Sequence, residues 1–230
     1  MGKRTSKIYV TKLAAAQRQL CAAIRMFFAG EDELAVHTVA SAAYQVLSDL
    51  KAGRGRDEAA DFYLNSVFYA VRSYRRGTLP NYLANDPEAM HLIRDMADRM
   101  PITASSNVGD VSASVSPDVA QAFWRERNAV SNFLKHADRD AKSYISLDDV
   151  DNLQLLMQAC CAYLDLTNDH LGPEGFVLWV YFNAVKGLKK GMPKKFRRCA
   201  STLEELDSDE QIRFCSEWLH EMKNATSADR

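Results

Sequence analysis

The chain has 230 residues, with 29 basic and 30 acidic side chains and a formal net charge of −1. That balance excludes a global electrostatic pull toward nucleic acid or membrane surfaces. Hydrophobic residues make up 47% of the chain, enough for a sizeable core and too many for a disordered polypeptide. No apolar run approaches the ~20 residues that a bilayer-spanning helix needs, so no membrane contact is expected. The opening MGKRTSKIYV is basic, but Lys12, Gln17, Arg18 and Gln19 interrupt the stretch after it, so it does not read as a secretory signal. The five cysteines are Cys21, Cys160, Cys161, Cys199 and Cys215, and none forms a CxxC pair. An odd number without pairing reads as small buried hydrophobes in a reducing cytoplasm.

The periodicity predicts helices throughout. The first spans Thr11 to Ala29, with Leu13, Leu20, Ile24 and Phe27 on one stripe and Gly30 at its end. The second spans Glu33 to Leu50, with Val36, Val39, Ala43, Val46, Leu47 and Leu50 facing inward and His37 beside them, in line with Ser41 and Tyr44. A short connection makes the two an antiparallel hairpin. Residues 52–56 read as a flexible basic connector. The third helix, Asp57 to Arg75, is rich in aromatic residues, which at helical spacing point to core. The fourth is expected over Pro87 to Met100, with proline in its first turn. Residues 101–117 are small and polar and predict a long mobile loop.

Ser116-Pro117-Asp118 then starts a fifth helix expected to run unbroken to Ala137. A sixth follows from Leu147 to Thr167, with Ser146 and Asp149 as a capping-box-like start. The seventh, Glu174 to Gly187, is apolar almost all round, the mark of a central or interface helix; a buried strand at Phe176 to Phe182 is the weaker reading, since no second strand signal exists to pair with it. Seven basic residues then fall between Lys186 and Arg198, followed by an acidic stretch from Glu204 to Glu210. A terminal helix covers Asp209 to Met222, with a frayed tail over residues 223–230. The expected fold is all-α: a single bundle-like domain over residues 1–230, of about eight helices, with the fifth and seventh central.

The candidate chemistry lies in Trp124 to Asp140, WRERNAVSNFLKHADRD. On a straight helix Val119, Phe123, Val130, Phe133, Leu134 and Ala137 form the buried arc, and Glu126 falls inside it. A carboxylate there requires a partner or a bend in the helix. Arg125, Asn132 and His136 lie on a separate polar arc, with Asn132 and His136 one turn apart. An imidazole beside Asn132, Lys135 and Asp138 can act as a general acid or base while cations hold a phosphate. Lys189, Lys190, Lys194, Lys195, Arg197 and Arg198 are the candidate contacts to a nucleic-acid backbone. No cofactor is expected. Metal binding at His136, Asp138 and Asp140 is weak, because no HExxH-like pair exists. The bland alternative for His136 is an interaction with the last carbonyls and dipole of its helix, and for the basic run a solvated loop balanced by the acids after it.

Arg127-Asn128…His136 resembles the arginine–histidine signature of HEPN-type domains, with eight residues between Arg127 and His136. On a continuous helix that spacing places the two on opposite sides. HEPN-type domains are bacterial helical bundles, many of them ribonucleases that work as dimers. Asn132 to Asp140 also resembles an N-F-x-K-H-A-D-R-D string found in a set of bacterial all-helical proteins with no activity attached, whose opening is similar to Lys12-Leu13 through Arg18-Gln19-Leu20. These resemblances imply a cytoplasmic bacterial protein that binds nucleotide or RNA, or cleaves RNA, around His136, as a homodimer. A non-enzymatic interaction or homodimerisation module is the alternative, and a metal-dependent hydrolase the third reading.

Overall fold

The computed structural model describes residues 9–107, 111, 114–136, 138 and 141–228, with side chains to residue 225. The described residues are all-helical: α1 Lys12–Phe28, α2 Glu33–Ala52, α3 Glu58–Arg76, α4 Asn81–Ala84, α5 Pro87–Arg99, α6 Pro117–Arg127, α7 Ala129–Lys135, α8 Asn152–Thr167, α9 Pro173–Val185, α10 Lys194–Glu204 and α11 Ser208–Ala228. Two short 3-10 turns lie at Leu147–Asp149 and Lys189–Gly191. These eleven helices replace the expected eight or so. The expected fifth helix is split in two, and α4 and α10 were not expected. The first is a single turn, and the second carries too many cations in its first turns to read as helix. The apolar segment Phe176 to Phe182 lies within α9, not a strand.

One main core joins α1, α2, α8, α9, α10 and α11. The α1–α2 hairpin forms as its spacing dictates. Thr11 and Asp32 cap the two N-termini, and Gly30 turns between them at φ +67°. Leu20, Ile24, Leu47, Leu156 and Leu178 are completely buried where α1 and α2 meet α8 and α9. At the rim, Phe176 packs edge-on against Phe196 and Trp218, which fastens α9 to α10 and α11. Glu174 ties three helices together: it accepts from Arg25 at 2.6 Å and pairs with Lys223 at 2.9 Å. Burial would raise the Glu174 carboxyl, but bonds from Lys223 and Arg25, with its own backbone N–H, hold it below the usual range.

A second, smaller core serves α3 and α5 alone. Phe68 and Val71 meet Ala97 and Ile102, with Met96 and Met100 at the edge. Gly77, at φ +64°, closes α3 in the left-handed conformation that only glycine takes without strain. No residue of α3 or α5 belongs to the main core. The two helices form an arm on the bundle.

Several expectations change here. The start of the loop at 101–107 is pinned to the arm rather than mobile. Ile102 is buried, Arg76 donates to the Ala104 carbonyl, and Thr103 and Ser106 bond each other. Residues 108–110, 112 and 113 of that loop lie outside the described residues. The connector at 52–56 is also anchored: Arg54 donates to the Leu166 carbonyl at 2.7 Å. Ser146 caps only a 3-10 turn, and Asp151 caps α8 instead. The tail expected to fray continues as helix to Ala228, held by Lys223 on Glu174. Finally, α6 and α7 are peripheral rather than central, with only Phe123, Val130 and Ser131 buried.

Candidate functional site

The break at Asn128 decides the geometry around His136. Asn128 sits at φ −93° and ψ 0°, between α6 and α7, so the helical phase shifts there. Glu126, placed on the core arc by a straight helix, is exposed, and Arg127 turns inward in its place. This is the bend that a carboxylate at position 126 required. Val119, on the same arc, is exposed as well.

Arg127 lies with its guanidinium 4.8 Å from the centre of the Tyr44 ring, over its face. Its Nε and Nη2 are buried and make no well-formed hydrogen bond, with the Tyr44 hydroxyl close by. His37 on α2 is 5% exposed, and neither of its ring nitrogens makes a well-formed hydrogen bond, although the Asn152 side chain lies beside it. Burial pushes the His37 imidazole below its ordinary value; the positive charges of Arg127 and Lys135 push the same way, and the neighbouring Asn152 amide offsets this only in part. The elbow therefore gathers Arg127, Lys135 and His37, and no described carboxylate bonds any of the three.

His136 ends α7. Its backbone N–H bonds the Asn132 carbonyl at 3.0 Å, and its side chain is 36% exposed. The ring is thus open to solvent and not sealed among aliphatic groups. Its Nδ1 lies 4.0 Å from Asp138 Oδ1, beyond hydrogen-bond range, and Asp138 is 79% exposed. Of the expected quartet, His136 and Asp138 are therefore brought near each other, and Asn132 and Lys135 are exposed on the same short helix. Ala137, Arg139 and Asp140 lie outside the described residues. Among the described residues no three His, Cys, Asp or Glu side chains gather as metal ligands; Asp140, a member of the expected set, lies outside them.

The basic run is less uniform than its sequence. Lys189 pairs with Glu204, and Arg197 spends its donors on the carbonyls of Met192 and Lys190, both at 2.9 Å. Those two side chains fold the 3-10 turn onto α10. Lys195 lies over the Phe196 ring at 4.7 Å. Lys190, Lys194, Lys195 and Arg198 remain exposed. Lys194 and Lys195 crowd the positive end of the α10 dipole, where cations are unfavourable and an anion is welcome.

The most elaborate polar cluster was not expected. His37, Ser41, Tyr44, Ser48 and Lys51 follow one another at alternating steps of four and three on α2, and all but Ser41 are buried. At the end of this stripe Lys51, 2% exposed, meets three carboxylates: Glu58 at 2.5 Å, Asp61 at 2.9 Å and Asp165 at 2.8 Å. Arg56 joins Asp61 at 2.9 Å, and the Tyr44 hydroxyl donates to Glu58 at 2.9 Å. Burial alone would lower the Lys51 ammonium, but hydrogen bonds to Asp165 and Glu58 outweigh it and raise it. A lysine held so firmly in its charged form is no nucleophile. Its neighbour Cys161 is exposed at the surface, contrary to the buried role expected, yet its thiol is pushed up to about 11 by desolvation and by the Asp165 and Glu58 charges. The sequence signal was present: a 3–4 polar spacing on α2, and an acid, Asp165, in the apolar run of α8.

Two open clefts lie on the described surface. One of 440 Å³ lies between α4 and the end of α9, lined by Leu79, Pro80, Asn81, Tyr82, Val185, Lys186, Gly187 and Lys190. The other, of 410 Å³, lies at the α1–α2 turn, with Glu31, Glu33, Asp151 and Asp209 around it. Those acids stand at the starts of α2, α8 and α11, where the helix dipole favours them. No family model matches the chain, and no curated protein or solved structure matches it at a significant level.

Proposed function

We propose that the chain binds the phosphate groups of a nucleotide or RNA at the α6–α7 elbow, with His136 as the acid–base group of a phosphodiester cleavage. The observation that carries this reading is the surplus of donors there. Arg127 holds two buried N–H groups that make no well-formed hydrogen bond, and His37 and Lys135 lie near it. A guanidinium so poorly bonded gains a charge-assisted hydrogen bond when a small side-chain movement lets a phosphate oxygen reach it. His136 stands exposed at the C-terminus of the same short helix, with Asn132 one turn behind it. The resemblance to HEPN-type domains supports the same chemistry and adds a homodimer as the working form.

The test is cleavage of total RNA by the purified protein and by His136→Ala. Wild type should degrade RNA, and the variant should lose about 10²- to 10⁴-fold, the range for removing a general acid or base. Equal degradation by both proteins, or none by either, overturns cleavage. Lys135→Gln should weaken binding to a single-stranded oligonucleotide and lower its salt slope by about 0.7.

A further inference from the structure

We infer that the cleft between α4 and the end of α9 is a second site, which takes one unpaired nucleotide: the base against Tyr82, the phosphate on Lys186 and Lys190. This extends the nucleotide reading to a separate face and does not depend on chemistry at His136.

The first observation is shape. The cleft encloses 440 Å³, within the range of small-molecule sites and ample for a nucleoside monophosphate. Three of its lining residues, Leu79, Pro80 and Val185, are apolar. Leu79 is nearly buried, whereas Val185 remains 45% exposed at the edge. The second is the aromatic wall. Tyr82 is 60% exposed and belongs to the four-residue helix α4, which buries no residue in either core. Its ring has no described aromatic or cationic partner, so its face is free to stack. The third is charge. Lys186 and Lys190 line the cleft, and no carboxylate does. The contrast with the 410 Å³ cleft, rimmed by four acids, shows that the two concavities are sorted by sign.

Backbone geometry places the cations. Lys186 ends α9, Gly187 turns at φ +64°, and the 3-10 turn at Lys189–Gly191 then carries Lys190 back toward the cleft. Arg197 bonds the Lys190 carbonyl, so that turn is fixed to α10 and Lys190 is held at its position on it. An acidic peptide would also answer two lysines. It would have no use for an exposed phenol ring and apolar lining residues, and a nucleobase answers both.

The experiment uses the full-length protein, adenosine monophosphate as the probe and tyrosine ring resonances as the readout, with the Tyr82 signal assigned from Tyr82→Phe. Saturable perturbation of the Tyr82 ring is expected. Lys186→Gln/Lys190→Gln should weaken it about 10-fold or more, and Tyr82→Ala should lower affinity for a short single-stranded oligonucleotide by about 5- to 100-fold. All the altered side chains are exposed or half-exposed, so the fold is retained, as circular dichroism will check. No change at Tyr82 with adenosine monophosphate overturns the site, whatever RNA cleavage shows. An equal perturbation by hexaglutamate overturns it too and makes the cleft an acidic-peptide surface. Perturbation of Tyr82 in a protein that fails to cleave RNA upholds this site and removes only the chemistry at His136.

Discussion

The main bundle and the α3–α5 arm are held by different physics. The bundle rests on a continuous apolar core in which Leu20, Ile24, Leu47, Leu156 and Leu178 are fully buried. The arm has a core of four buried residues, and it meets the rest of the molecule through a buried ion cluster and a patch of aromatic contacts. Lys51 of α2 reaches Glu58 and Asp61 of α3 and Asp165 of α8, while Phe62 and Tyr63 touch Phe123 of α6. Apolar burial is tolerant of direction and adds with area. A buried ion cluster is directional, and it fails abruptly when one charge is removed. The bundle should therefore be robust and the arm switchable.

The largest effect should come from Lys51→Met. Removing the ammonium leaves Glu58, Asp61 and Asp165 facing one another, and breaking such a buried cluster costs about 3–5 kcal/mol. Urea denaturation measures it, and hydrogen exchange should show α3 and α5 opening before α1 and α2. Uniform exchange across both regions would dissolve the distinction between them. Next comes Phe68→Ala, with a cost of about 3 kcal/mol from the cavity it leaves. Because Phe68 belongs to the arm's core alone, its loss should release α3 and α5 while the amides of α1, α2 and α8 stay protected.

The pH dependence separates the two regions at lower cost. His37 is held below its ordinary pKa in the folded state. The unfolded chain therefore takes up the proton first, near its usual value of about 6.5. Stability from this group is complete above that pH and falls as pH drops toward the folded-state pKa. His37→Leu should flatten that part of the stability curve between about pH 7 and 5. Asp61 behaves likewise at lower pH: Lys51 and Arg56 depress it against the effect of burial. Its contribution is present above about pH 4 and is lost as pH falls through the folded value. The smallest effect should be Gly77→Ala, about 1 kcal/mol, from forcing a side chain into the left-handed turn at the end of α3.

The parts of the fold that were legible in the sequence are those governed by local period. Leu20, Ile24, Val36 and Leu47 stand on their stripes as expected, and Ser116, Pro117 and Gly77 mark helix ends by their own chemistry. At the candidate site, the sequence placed Asn132 one turn before His136, and α7 keeps them at that spacing. It placed Glu126 on the buried arc of an unbroken helix, because the one-residue break at Asn128 that resets the phase leaves no signal in side-chain pattern. The arginine's unpaired N–H groups and their approach to His37 could not be anticipated from either segment alone.

Sequence by itself determined the class of fold, the α1–α2 hairpin and the start of α6 at Ser116 and Pro117. These follow from residues a few positions apart, where helix geometry fixes distance. Only tertiary structure decided that Lys51 meets Asp165, that Arg127 rests on Tyr44, and that Tyr82 and Lys190 share a cleft. Those pairs are separated by long stretches of chain, and side-chain spacing carries no information about which distant helix a given face will meet.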